Sequence, residues 1–291
     1  MPPSAERSAL GRIGIFLAFL ALLLIAWEGV KLLGGDPWRS DGKVVWDPPL
    51  DIWFASNLML PHVWDIWRAL ADPVQRGTEQ SLAAFLIGAA FYTWREAAIG
   101  FVAGAVIGIA LAALFVHSRL AERAFVPYVI ASQTIPIVAL APMIVFAFGP
   151  NVTSVVIIAT YLTFFPVTIA MIRGLRSPDP RALELMRSYA AGRWSVFWKL
   201  RMPASLPYLF TALKIAATAS IVGAIVGEGP GGIPDGLGRA IVNFNTQYIT
   251  GPEKLWAAIL ASAVIGIAFF GIVRVAEVVT LRSRGLRTEA A

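Results

Sequence analysis

The chain has no cysteine, only two histidines, and few charges: Asp, Glu, Lys and Arg make up 14% of its 291 residues. Without cysteine there is no disulfide framework and no thiolate metal site. His62 and His117 are far apart in sequence and fall on opposite sides of the topology developed below, so they cannot share a metal. A phosphate cradle is missing too, because the Gly/Pro stretch from Glu228 to Gly236 lacks the Lys and Ser/Thr of a P-loop and joins no strand to a helix. Above all, with 57% hydrophobic residues the chain lacks the polar surface that a water-soluble globule of this size requires. Its solvent is a bilayer.

What is present is a series of uncharged apolar runs: Ile13 to Trp27, Ala97 to Val116, Phe125 to Phe148, Val152 to Ile172, Ile215 to Gly227 and Leu255 to Val273. Most approach the ~20 residues a helix needs to cross about 30 Å of hydrocarbon. The first extends to Leu33, with Trp27 and Lys31 at the interface, and its flank Trp27-Glu28-Gly29-Val30-Lys31 is no signal-peptidase site, so it reads as an uncleaved span. Gly149-Pro150-Asn151 divides the charge-free stretch from Ala124 to Ile172 into a hairpin of two spans. Ser81 to Trp94 is too short to cross alone and reads as the entry of the second span.

Six spans place both tails on one side. That side then carries fifteen of the 24 basic residues against eight on the other, with Lys214 inside a span. Short basic loops face the cytoplasm, so the reading is a 1–12 cytoplasmic N-tail, a 13–33 span, a 34–80 extracytoplasmic segment, an 81–284 membrane domain of five helices and a 285–291 cytoplasmic C-tail. The net charge of +6 is spread over these loops and tails and does not suggest nucleic acid. Glu28, Glu96 and Glu277 lie near span ends and read as solvated head groups, and Lys214 as a structural residue toward the cytoplasmic end of its helix. Trp38, Trp46, Trp53, Trp64 and Trp67 read as anchors of an interfacial helix along the outer leaflet.

Between the fourth and fifth spans, residues 174–204 hold Leu183, Met186, Ala190, Trp194 and Phe197 at spacings of three and four, one face of a helix bounded by Pro178, Pro180, Pro203 and Pro207. By periodicity, an interfacial helix on lipid headgroups and a docking site for a soluble partner are equally open. In the third span, Pro136 and Pro142 predict kinks, and Gln133 and Thr134 offer polar groups either to a translocation path or to neighbouring helices.

Glu184-Leu185-Met186, Ala190-Ala191, Arg193-Trp194 and Pro203, followed by Ser205-Leu206-Pro207-Tyr208, resemble the EAA loop of ABC importer permeases. Ala190 stands where that family usually has glycine, a change that in a helix interior favours the helix by up to ~1 kcal/mol. Ser132-Gln133-Thr134-Ile135-Pro136, Ala139-Leu140-Ala141-Pro142, Phe148-Gly149, Glu228, Gly236-Leu237-Gly238 and Leu60-Pro61 resemble the nitrate, sulfonate, taurine and thiamine-precursor branch, and the likeness runs from about Glu96 to Arg284.

The resemblance implies an all-α integral membrane protein with six transmembrane helices of the type I ABC importer kind and a cytoplasmic coupling helix. It implies no catalytic or metal site, an ATPase-coupling set of Glu184, Arg187, Ala190, Ala191, Arg193, Trp194 and Pro203, and a path past Gln133, Thr134, Pro136 and Pro142. The implied partners are ABC ATPase subunits that hold the ATP and Mg, an extracytoplasmic substrate-binding protein, a second copy of the chain and membrane lipid, in a bacterial inner membrane. The alternative is an ion-coupled secondary transporter or channel acting without an ATPase, which requires internal repeats and ionisable residues at membrane depth.

Overall fold

The structure, a computed structural model, describes residues 4–40, 43–75, 77–229, 233 and 235–283. The expected C-tail, 285–291, lies outside the described residues. Long apolar stretches satisfy their backbone polar groups internally only as helices, and the helices follow the runs. They are α1 (Ser4–Leu33), α2 (Val63–Ala69), α3 (Leu82–His117), α4 (Arg119–Ser132), α5 (Ile137–Phe148) and α6 (Val152–Leu175). Then come α7 (Pro180–Ser188), α8 (Arg193–Val196), α9 (Met202–Glu228), α10 (Leu237–Thr246) and α11 (Pro252–Ser283). A π segment, Phe197–Arg201, joins α8 to α9 in one helical run.

Among the described residues, five helical runs are long and apolar enough to cross a bilayer, and α4 with α5 forms a sixth, bent by 99°. Counted as one broken span, that pair brings the candidate spans to six. The 81–94 stretch and the following run make one helix of 36 residues, α3. The third span departs from the expected shape: the chain turns sharply over Gln133–Pro136 instead of kinking at two prolines. Pro136 caps the start of α5, where its missing N–H is not needed, whereas Pro142 lies inside α5 without interrupting it.

Packing divides the chain into two units, Met1–Phe85 with Asn243–Ala257 and Leu86–Val242 with Ala258–Ala291. In the first, a short antiparallel hairpin, β1 (Trp38–Ser40) and β2 (Lys43–Trp46), adds strand to an otherwise helical chain. The five tryptophans of this region do not share one helix. Trp38 and Trp46 sit on the hairpin, Trp53 in a 3-10 turn, and only Trp64 and Trp67 on the short α2. Lys31, expected at the interface, is 1% exposed, and its ammonium donates to Ala55 O, Asn57 Oδ1 and Leu60 O at 3.1, 2.7 and 2.6 Å. Three donors meet three acceptors, which offsets the desolvation of the charge. Glu28 is likewise engaged, accepting from Val63 N–H and from His62 Nδ1, both at 2.8 Å. Burial pushes the His62 imidazole below its usual range, which favours the neutral ring that donates to Glu28.

In the second unit, α3, α6 and α9 pack through small residues. Gly100, Gly104 and Gly108 recur every fourth residue along α3 and lie against Ala159, Thr160, Thr163 and Phe164 of α6. Gly223 and Gly227 bring α9 against Val155, Ile158 and Ala159 on the same helix. In a bilayer no hydrophobic effect drives helices together, so close backbone approach through glycine supplies the contact area. The core above and below this seam holds Phe115, Val167, Met171, Leu175 and Phe197 in one cluster, and Val155, Ile221, Ala224 and Phe269 in another.

Candidate functional site: the 174–204 loop and the α4–α5 break

Asp179-Pro180 starts α7 for local reasons: the Asp179 side chain accepts from Arg181 N–H at 2.8 Å and Pro180 occupies the first turn, where its ring is pre-set for helix. The helix ends at Ser188, so the expected continuous stripe from Leu183 to Phe197 is broken. Ala190 has φ of +54°, a left-handed residue. Its N–H reaches Arg187 O at 2.9 Å, and the Ala191 N–H reaches Met186 O at 3.0 Å, the double bond of a Schellman cap. Ala190 is thus not in a helix interior, where alanine helps, but at the one cap position where its Cβ costs about 1 kcal/mol relative to glycine. Ala190→Gly is accordingly expected to slow amide exchange over the last turn of α7 about fivefold, by relieving about 1 kcal/mol of strain. Unchanged exchange in a hydrogen-exchange experiment would mean the cap is not held in this conformation.

Breaking the stripe redistributes its faces. Phe197 is buried in the core, and Leu183 and Met186 are half-buried. Leu185, Tyr189, Trp194 and Trp198 face outward, 58 to 77% exposed. Leu185, Tyr189 and Trp198 were not in the sequence-based set; the signal available was their i, i+4 spacing, Leu185 to Tyr189 and Trp194 to Trp198, offset from the stripe chosen. Glu184, Arg187 and Arg193 are exposed around this patch, Ala191 and Pro203 are half-buried, and Pro203 stands in the first turn of α9. Trp194 stacks on His117 at the end of α3, ring centroids 5.9 Å apart, and meets Phe197 edge-on at 6.0 Å. The loop is therefore tied to the spans on both flanks, through α3 by stacking and through α9 by continuous helix.

The second group gathers at the α4–α5 bend. Gln133 caps α4 and its amide nitrogen is buried without an acceptor, while Thr134 donates to Ala131 O at 2.7 Å. The Tyr161 hydroxyl of α6 donates to Ser132 O beside the bend. Pro142 is exposed farther along α5, so it does not belong to this polar cluster.

Three charged residues that look ordinary in sequence occupy interior positions. Glu277, instead of being solvated, is 4% exposed and pairs with Lys214 at 2.9 Å. Glu96 is 1% exposed and Glu228 fully buried, and both oxygens of Glu96 and Oε1 of Glu228 lack a hydrogen-bond partner. The other Glu228 oxygen accepts from Gly238 N–H at 2.6 Å, and Thr93 Oγ1 accepts from Leu237 N–H at 2.8 Å, which fastens the start of α10 to α3 and α9.

Residues 104–277, which include the whole loop and the bend, match the family described as the binding-protein-dependent transport system inner membrane component. The chain belongs to this family. The permease is 37% identical over 183 residues to the formylaminopyrimidine transport permease protein ThiX of Halalkalibacterium halodurans, covering 63% of this chain and 72% of that relative. It is 32% identical over 166 residues to the riboflavin transport system permease protein RibX of Chloroflexus aurantiacus, covering 57% and 61%. To the nitrate import permease protein NrtB of Leptolyngbya laminosa it is 28% identical over 166 residues, covering 57% and 59%. These relatives bear out the resemblance seen in the sequence: this is a multi-pass ABC importer permease of that branch.

Proposed function

We propose that the permease forms the translocation pathway of an ATP-driven importer for a small solute, and that the outward patch of the 174–204 loop docks an ABC ATPase. The observation that carries this reading is the patch itself. Leu185, Tyr189, Trp194 and Trp198 expose apolar surface, ringed by Glu184, Arg187 and Arg193, on a loop fastened to two spans. An apolar centre with a charged rim is the composition of a protein interface. ATP-driven motion of the partner enters through the loop and reaches α9 directly and α3 through the Trp194–His117 stack. The polar bend at Gln133 and Thr134, with Pro136, contributes to a path between two copies of the chain, and an extracytoplasmic binding protein delivers the solute. Both tails then face the cytoplasm of a bacterial inner membrane, in keeping with the basic bias of that side. The relatives' solutes, formylaminopyrimidine, riboflavin and nitrate, span small planar heterocycles and a small anion, and the solute of this permease is drawn from that range.

One observation favours a second reading. The Glu96–Glu228 pair is an ionisable group inside the spans, as an ion-coupled transporter needs. A single experiment separates the two: co-purification of the full-length protein from cells containing its ATPases, with and without Leu185→Asp plus Tyr189→Asp. Anchors of this kind contribute about 2 kcal/mol each, so the double variant is expected to weaken ATPase binding by roughly three orders of magnitude while the exposed positions leave the fold intact. An unmodified protein that carries no ATPase, yet moves solute down an ion gradient, would establish the second reading.

A further inference from the structure

Four helix ends converge at one level of the second unit: the last turn of α3, the first turn of α4, the residue after α6, and the π segment before α9. They enclose a cleft of about 470 Å³ lined by Val116, Arg119, Glu122, Arg123, Arg176 and Arg201. Four guanidinium groups meet one carboxylate there. Glu122 Oε2 lies 2.6 Å from Arg176 Nη2, and no other carboxylate lines the cleft, so one negative charge stands against four positive ones. Guanidinium clusters of this kind are matched by the oxygens of a phosphate group.

A second observation decides where that phosphate comes from. An apolar groove of about 350 Å³ lies between α3, α4 and Phe164 of α6, lined on α3 by Leu111, Leu114 and Phe115, the residue before the cleft's Val116, and on α4 by Phe125, Tyr128 and Val129. On α4 the groove runs from Phe125 to Ser132, or about 10 Å at 1.5 Å per residue. That length is about two thirds of the ~15 Å of one leaflet's hydrocarbon, so the groove can hold the headgroup-proximal part of an acyl chain laid along it. A soluble phosphate would use the cleft and leave the groove unfilled.

We propose that the cleft and groove together bind one anionic phospholipid, its phosphate among Arg119, Arg123, Arg176 and Arg201 and an acyl chain against Phe125 and Tyr128. The lipid would sit where α3, α4, α6 and the loop-bearing α9 meet. It would therefore fasten the base of α4 to the elements that flank the 174–204 loop.

The test is native mass spectrometry of the full-length protein after exchange in mixed micelles with equal dioleoylphosphatidylglycerol and dioleoylphosphatidylcholine. The expected result is retention of one phosphatidylglycerol in preference to phosphatidylcholine. Arg119→Gln plus Arg123→Gln should lower that retention about 25-fold, and Glu122→Gln should raise it about fivefold, at the strength of one basic charge per step. The Glu122→Gln arm keeps the test decisive if the double variant does not fold. Equal retention of both lipids, or no response to either variant, overturns the proposal. Complete displacement of phosphatidylglycerol by millimolar inorganic phosphate would assign the cleft to a soluble anion instead. Loss of a bound ATPase from the double variant, with phosphatidylglycerol retained, would assign the arginines to a protein partner and also overturn it.

Discussion

Gly104→Leu is expected to abolish the folded permease. A Cβ placed on Gly104 would lie 2.6 Å from Thr163 Cβ and 2.8 Å from Thr160 O, and the same collision awaits at Gly100 against Ala159 Cβ, 2.4 Å, and at Gly108 against Phe164 O, 2.8 Å. The nearest obstructing atoms are backbone oxygens and Cβ atoms of α6, whose positions no change of side-chain rotamer can shift. The helices must separate. Overpacking of a tight seam costs roughly 3 kcal/mol, and here separation also removes the van der Waals contact that holds α3 to α6 where no hydrophobic effect acts between helices. Gly88 lies on the same helix and Gly266 on α11, each with nothing within 4 Å, and Leu at either should be tolerated. Yield of monodisperse protein and melting temperature in detergent check the prediction. A Gly104→Leu protein that melts with the Gly88→Leu control would refute the packing of α3 on α6.

Lys214→Met is expected to destabilise the permease by about 3 to 5 kcal/mol, because it strands a buried charge. Lys214 Nζ lies 2.9 and 3.1 Å from the two oxygens of Glu277, and the side chains are 20% and 5% exposed. Each ion is tolerated at this depth by the other. Replacing both, Lys214→Met with Glu277→Leu, should therefore recover most of the loss, since apolar side chains of similar volume remove both desolvation costs together. Melting temperatures of the two single variants and the double variant complete the cycle. A double variant no more stable than Lys214→Met would show that pairing is not why these residues are tolerated, and would point to a role in transport.

Lys214 shows where sequence reading reached its limit. Its position inside a span and the need for a partner follow from the apolar run around it, but the partner is 63 residues away on another helix. Glu277 looked solvated for the same reason, as did Glu96, whose neighbour Glu228 comes from α9. Chain distance hides such pairs, because hydropathy reports the depth of a residue and not its direction. The Gly100, Gly104 and Gly108 repeat is visible in the sequence, but glycine spacing acquires meaning only against an opposing helix.

The 174–204 loop divides in the same way. Asp179-Pro180 and the exposed charges determined that a helix begins there, since capping and solvation are local. Its end was not local. Alanine at 190 reads as a helix former, and only the closed backbone bonds to Met186 and Arg187 reveal a left-handed residue that turns Leu185 and Tyr189 outward and Phe197 inward.

By itself, then, the sequence determined the solvent, the six apolar segments and the family, because each depends on composition, run length or residue order along one stretch of chain. The tertiary structure alone decided the 99° bend in the third span, the pairing of buried charges, the glycine seam and the outward face of the loop. Those features depend on which surfaces meet, and helices related by a few kcal/mol of close packing meet in ways that no single segment encodes.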